Sequence, residues 1–324
     1  MTSRCKFTSL DGETCSENDL GAGYCFWHDP HVDKSGMNLS ERLESHVRRG
    51  GMTKGLKLKR VNLRGINLVN RNSSEGFDLS ECDLYRADLH GAHLFNLTLK
   101  NGSLMKANLC DANLHCANFE GTNLLGTKLV GSRIDNLSTG EKLLQEGIAL
   151  KKLKDNDLES AMDNFEQSEE IYRNLRKRAE DQGLFQLAGS FGYRELIMRR
   201  YQLQKWSFKW CFSMLVDSLC GYGEKPENTV LFSMYLILIS AIMYFLFGVN
   251  HSGEIIQIDL SKPFFDNVES FFMTLYYSVV TFTTLGYGDI TPFGVTRFFA
   301  ALEAFIGSFT IALFVVVFVK RMTR

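Results

Sequence analysis

Three cysteines and one histidine near the N-terminus, Cys5, Cys15, Cys25 and His28, are the residues best suited to metal chemistry. Three thiolates and one imidazole make the ligand set of a closed tetrahedral zinc site, and Cys25-Phe26-Trp27-His28 has the two-residue gap that lets one turn supply two ligands. The nine-residue gaps before it are not standard zinc spacings, so free reduced thiols and a metal or redox sensor stay open. The surrounding residues 1–35 are too poor in apolar side chains to make a core of their own, which favours a structural Zn2+. A second candidate is Thr283-Thr284-Leu285-Gly286-Tyr287-Gly288-Asp289. A stripped alkali cation needs a stack of oxygens at nearly its hydration distance. The carbonyls of Thr284, Leu285, Gly286 and Tyr287, with the Thr284 hydroxyl, can supply one. Pointing successive carbonyls the same way takes alternating left- and right-handed backbone, which Gly286 and Gly288 permit at little cost.

Elements of membrane length flank that segment. Residues 229–248 form a 20-residue stretch without a charge, and residues 298–319 form a 22-residue stretch whose one charge is Glu303. Both match the roughly 20 residues needed to cross about 30 Å of hydrocarbon. Arg199, Arg200, Lys205, Lys209 and Lys225 precede the first span, and Lys320, Arg321 and Arg324 follow the second. The 49 residues between the spans carry only Lys262 and Arg297, so the connection is expected outside and both termini in the cytoplasm. No apolar run in residues 1–30 reads as a signal peptide, in keeping with a multi-pass protein of the cell membrane whose first span directs insertion. Residues 267–282 are apolar but only 16 long, right for a helix that enters halfway, with Asp266 as its cap and Glu269 in its first turn. Residues 205–224 mix Trp206, Phe208, Trp210 and Phe212 with Lys205, Lys209 and Asp217, which predicts an amphipathic helix lying in the bilayer interface. A single loop offers one wall of a cation path, so several copies must surround one axis.

In this setting Thr284-Leu285-Gly286-Tyr287-Gly288 resembles the Thr-Val-Gly-Tyr-Gly filter of two-transmembrane potassium channels, a resemblance covering residues 225–324. It implies potassium selectivity in a homotetramer, with K+ held by Thr284, Leu285, Gly286, Tyr287 and Gly288 and with Asp289 just outside. It also implies that Tyr276 and Tyr277 brace the filter and that Gly307 is the gating hinge of the inner helix. Val280 stands where some members place a glutamate, and Leu285 where valine is commoner. Ser308, Ala312, Val315 and Val319 fall at helical spacing as candidate pore-lining residues. Glu303, an ionisable group within a span, needs a polar partner, and Thr274, Ser278 and Thr281 of the half-membrane helix are the candidates for supporting the filter with it.

Residues 56–136 carry a five-residue period in which Leu79 to Ile134 repeat a large apolar residue at twelve successive positions. Two residues before each centre the side chain is usually small, as at Ala87, Ala92, Gly102, Ala107, Ala112 and Ala117. No helix or flat strand presents one face every five residues, so the chain must coil with flat sides. The pattern resembles the pentapeptide-repeat family, whose fold is a right-handed quadrilateral β-helix with about 20 residues per turn. Leu58, Leu63 and Leu68 extend it before a register break at 70–76. Residues 139–204 read as a helical hairpin connector capped by Asp157 and divided at Gly183, and residues 36–55, with four glycines, read as a linker.

The fold class expected is a multidomain membrane protein: a zinc-binding-like segment, a pentapeptide β-helix, a helical hairpin and an all-α two-transmembrane tetrameric pore with a re-entrant loop. A net charge of −1 over 324 residues argues against a nucleic-acid partner, and ten basic against eight acidic residues in 56–136 argue against an acidic mimic of DNA. All eight cysteines precede the first span, on the side expected to be reducing, so no disulfides are predicted. No nucleophile with its base suggests an enzyme. A weakly selective cation channel and a membrane-anchored interaction scaffold remain as alternatives. No span carries repeated arginines, so voltage is disfavoured as the gating stimulus, and zinc, a cytosolic ligand or protein regulator, lipid and tension stay open.

Overall fold

A computed structural model describes residues 3–71 and 73–322. The chain divides into two compact units, Met1–Gln204 and Lys205–Arg324.

In the first unit the five-residue period becomes a coil. Parallel bridges join Asp78 to Thr98, Asp83 to Ser103, Asp88 to Asn108 and His93 to Asn113, and the 20-residue offset persists to Asn118 and Ser138. Four bridges per turn make four sides. Earlier bridges, such as Lys57 to Asp83, are offset by 26, so the stretch around 70–76 is a six-residue insertion, which shifts a five-residue register by one. The large residues point inward without exception from Leu79 to Ile134, none more than 4 % exposed. The small positions, such as Ala87, Ala92 and Ala107, are fully buried between them. Thr127 and Ser132 take those places further on and donate their hydroxyls to the carbonyls of Leu104 (2.9 Å) and Leu129 (2.7 Å), which removes the cost of burying them.

Both ends of the coil are closed, as an open β-edge requires. At the start, residues 36–55 are not a linker: α1 (Ser40–Arg48) buries Leu43 and Val47 in the same core as Leu63 and Leu68. The glycines suggested flexibility, but the spacing of Leu39, Leu43 and Val47 makes one apolar helix face. At the other end the expected hairpin has a third helix. α2 (Leu144–Lys154) precedes α3 (Leu158–Asp181) and α4 (Phe185–Tyr201). Asp157 caps α3 by accepting from the Ser160 amide, and Gly183 turns the chain with φ +70°. From α3, Asn174 donates to the Thr127 carbonyl (2.7 Å) and Arg178 to that of Ser132 (2.5 Å). Just beyond it, Gln182 accepts from the Ile134 amide.

The second unit contains α5 (Phe208–Cys220), α6 (Pro226–Phe247), α7 (Phe264–Phe282) and α8 (Thr296–Met322). α6 and α8 are long and apolar enough to cross a membrane. α5 starts on a Ser207 cap, ends on Gly221 at φ +53°, and leaves Phe208, Phe212, Met214 and Leu215 exposed. Its end packs with Leu219 and Cys220 against Val317 of α8, where Lys320 pairs with Glu224 (2.8 Å) and Arg321 with Glu227 (2.9 Å). α7 starts at Phe264, with Pro263 at its N-cap and Asp266 inside the first turn, so Asp266 does not cap it. The unit is also not all-α. β1 (Val249–His251), β2 (Glu254–Ile256) and β3 (Ile290–Pro292) form an antiparallel sheet in the order β2-β1-β3. Ser252 and Gly253, both at positive φ, make the two-residue hairpin loop between β1 and β2.

Candidate functional site

Three helices meet at one carboxylate. Glu303 of α8 is 2 % exposed and accepts from the Tyr244 hydroxyl of α6 and from the Ser278 hydroxyl of α7, each at 2.5 Å. Of the three hydroxyls named as candidates, Ser278 alone donates to Glu303, and Thr274 instead donates to the Phe271 carbonyl within α7. Tyr244 was missed, although its hydroxyl near the end of an otherwise apolar span was a signal that it needs a buried acceptor. Tyr277 packs edge-on against Tyr244 with ring centroids 4.8 Å apart. The buried stripe of α8 continues through Gly307, where an added Cβ would run into the Phe282 backbone carbonyl. α8 is one unbroken helix through this point. Gly307 therefore lets α8 approach the last turn of α7, immediately before the Thr283–Asp289 segment. Ser308, Ala312, Val315 and Val319 lie on a separate, exposed stripe of α8.

After α7 the chain takes the alternating path that aligned carbonyls need. Thr284, Gly286 and Gly288 have φ of +59°, +58° and +81°, while Leu285 and Tyr287 between them do not enter the left-handed region. The two glycines are there for conformation and not for space, since a Cβ on either meets nothing within 4 Å. Thr284 adopts the same backbone against the usual preference of a β-branched residue, a strain that the anchored ends of the segment must hold. One end is held by amide hydrogen bonds of Thr284 and Leu285 into the last turn of α7. At the other, the Asp289 carbonyl accepts from His251 Nδ1 at 3.0 Å, and β3 pairs with β1 directly after it. The Tyr276 hydroxyl reaches the Asp289 carboxylate. The side chains of Leu285 and Tyr287 are exposed in the single chain.

In the first unit Cys5, Cys15, Cys25 and His28 are all buried, and their ligand atoms lie within 4.8 Å of one another. Cys25 Sγ is 3.2 Å and Cys5 Sγ 3.6 Å from His28 Nδ1, and Cys15 Sγ is 3.9 Å from Cys25 Sγ. A tetrahedral ion with bonds of about 2.3 Å to sulfur and 2.0 Å to nitrogen needs edges of roughly 3.8 and 3.5 Å. The cluster fits. His28 Nε2 donates to the Lys54 carbonyl at 2.9 Å, which leaves the Nδ1 lone pair facing the thiols, and Phe7 stacks on the ring at 4.1 Å. Burial pushes the Cys15 thiol up to about 12 and the Cys25 thiol up as well, and it pushes the His28 imidazole down. Without a cation this pocket holds neutral ligands. A divalent ion supplies the charge that makes thiolates stable there.

Residues 255–324 match the family model of an ion channel, and residues 103–136 match that of pentapeptide repeats, in eight copies. The chain thus joins an ion-channel domain to a pentapeptide-repeat β-helix, two families without enzymes. Curated proteins gave no match. Among solved structures, HetL, a pentapeptide repeat protein of the cyanobacterium Nostoc involved in heterocyst differentiation regulation, is 26 % identical over 26 % of this chain and 51 % of its own, with a TM-score of 0.13. The chain spans about half of HetL's length. Rfr23, from the cyanobacterium Cyanothece, is 24 % identical over 30 % of this chain and 99 % of its own, with a TM-score of 0.12.

Proposed function

We propose that this protein is a potassium-selective, homotetrameric channel of the cell membrane, with Thr284 to Asp289 as its selectivity filter and α7 as a re-entrant pore helix. The observation that carries the reading is the alternation of handedness at Thr284, Gly286 and Gly288, which turns a short backbone segment into a column of carbonyls. Four such columns around one axis replace the hydration shell of K+. Tyr276, Tyr277 and the Glu303 cluster brace the filter from behind, and Gly307 couples it to the inner helix, whose Ser308, Ala312, Val315 and Val319 line the lower pore. α6 and α8 span the bilayer with both termini in the cytoplasm, and α5 lies in the interface through its exposed aromatic face. The β-helix serves as a cytosolic regulatory or assembly domain, and the Cys3His cluster holds a structural zinc.

Purified protein reconstituted into potassium-loaded liposomes tests the reading. K+ efflux well above that of empty liposomes is expected, with Na+ flux much smaller. Equal Na+ flux would make the pore a weakly selective one, and no flux of either ion would leave a scaffold.

The Glu303 cluster gives a graded prediction. Glu303→Gln keeps one acceptor and is expected to preserve assembly while changing open probability in single-channel records; unchanged records would remove Glu303 from filter support. Glu303→Leu strands the buried Tyr244 hydroxyl, at about 1–3 kcal/mol, while Ser278 keeps the Ile237 carbonyl as an acceptor at 2.8 Å. Its thermal unfolding is expected to fall clearly below that of Glu303→Gln.

A further inference from the structure

Between the N-terminal segment and the first side of the β-helix lies an open cavity of about 360 Å³. Two backbone hydrogen bonds bracket it. The Lys57 amide donates to the Trp27 carbonyl at 2.8 Å, and the Gly36 amide to the Arg60 carbonyl at 2.9 Å. Residues 30–35 bow off the coil between these ties and are held in shape by turns in which Asp29 accepts from the His31 amide and Asp33 from the Ser35 amide. The cavity is therefore formed by fixed backbone.

Its lining is cationic. Lys34, Lys57, Lys59 and Arg60 face it, with Asp33 as the one lining carboxylate. Lys59 is paired with Asp83 at 3.2 Å. Lys34 is 3 % exposed, and the one hydrogen bond its ammonium makes among the described residues is to the Asp29 carbonyl at 3.0 Å. The same ammonium lies 5.3 Å from the centroid of the Phe26 ring and close to the Asp29 carboxylate, so its charge is met from within the N-terminal segment. Among the described residues no carboxylate lies within ion-pair distance of Lys57 or Arg60. Asp33 is engaged within its own loop, where hydrogen bonds from Ser35 hold its carboxyl below the usual range. Lys59 is answered by Asp83 and Lys34 by Asp29, so Lys57 and Arg60 are the cations left to a ligand at the cavity. A compact doubly charged anion rich in acceptors matches these two cations and the forked donors of Arg60. Tyr85 supplies an aromatic wall beside it.

We propose that this cavity is a binding site for a multiply charged phosphate group, carried by a soluble metabolite or by a lipid headgroup. It lies outside the channel domain, and its test does not depend on conduction. Calorimetric titration of the full-length protein in detergent with inorganic pyrophosphate and with ATP is expected to show saturable binding of one ligand per chain. The same titration with a water-soluble, short-chain phosphorylated phosphoinositide, against the unphosphorylated short-chain lipid, reads the headgroup source. The double variant Lys57→Gln with Arg60→Gln is expected to weaken binding at least tenfold, whereas Lys100→Gln, paired with Glu120 elsewhere on the coil, should change it less than twofold. If the double variant unfolds early in a thermal scan, Lys57→Gln alone is expected to weaken binding at least threefold. Absence of binding in all arms, or equal weakening by Lys100→Gln, would overturn the proposal.

Discussion

Gly286→Ala is expected to abolish potassium flux. The residue sits at φ +58° in open space, so the added methyl meets no neighbour in its own chain, and the penalty falls wholly on the backbone. Left-handed backbone costs an L-residue about 1–2 kcal/mol. Four chains share the pore, so the native filter is disfavoured by roughly 4–8 kcal/mol, and each 1.4 kcal/mol is a factor of about ten. Flux from liposomes should fall more than a hundredfold, while helix content and oligomeric state stay those of the parent, because Gly286 packs against nothing. A variant that conducts K+ with unchanged selectivity would refute the assignment of the filter.

Stripping the metal should unfold the N-terminal segment. One zinc per chain is expected by elemental analysis, and its removal by a strong chelator, or the substitution Cys25→Ser, should lower thermal stability and expose residues 3–35 to proteases. Structural zinc contributes about 10–16 kcal/mol to small zinc-finger peptides, and here Trp27, packed into the core of the coil, adds an apolar contact to the metal's share. The pH dependence follows from proton competition. Burial holds the Cys15 and Cys25 thiols protonated in the absence of a cation, so binding must displace protons. The metal-bound state carries fewer protons than the unfolded one, whose thiols titrate near about 8.5 and whose imidazole near about 6.5. The metal's contribution is thus full above that range and declines as pH falls through it. Unchanged stability and protease resistance after complete metal removal would reduce the cluster to reduced thiols.

Much of this arrangement was legible in the chain because it repeats or because it is extreme. Twelve large apolar residues at five-residue spacing leave no option but a flat-sided coil, and two stretches of membrane length, one uncharged and one with Glu303 as its single charge, announce spans. Less visible were features that depend on a partner distant in sequence. The corner residues of the coil recur at left-handed φ every fifth position, and Arg86, Lys106 and Cys116 hold it as readily as Gly91 and Gly121. Residue type alone did not mark those corners, since neighbouring turns impose them through the ladder. α1 was hidden by the glycines around it. The β1–β2 hairpin carried a signal in Ser252-Gly253, but its role in anchoring the end of the Thr283–Asp289 segment is set by pairing with β3 across about forty residues.

The filter and the metal cluster divide the same way. The sequence by itself determined the chemistry available: carbonyls presented by a Gly-Tyr-Gly segment, and three thiols with one imidazole. It determined these because residue type fixes donor atoms and permitted φ. Tertiary structure alone decided what holds them. It chose Ser278 and Tyr244 to satisfy Glu303, placed His251 on the Asp289 carbonyl, turned the Nδ1 of His28 toward the thiols through the Lys54 carbonyl, and set Gly307 against Phe282. Each of these depends on distances of a few ångströms between residues tens of positions apart, and packing fixes those distances.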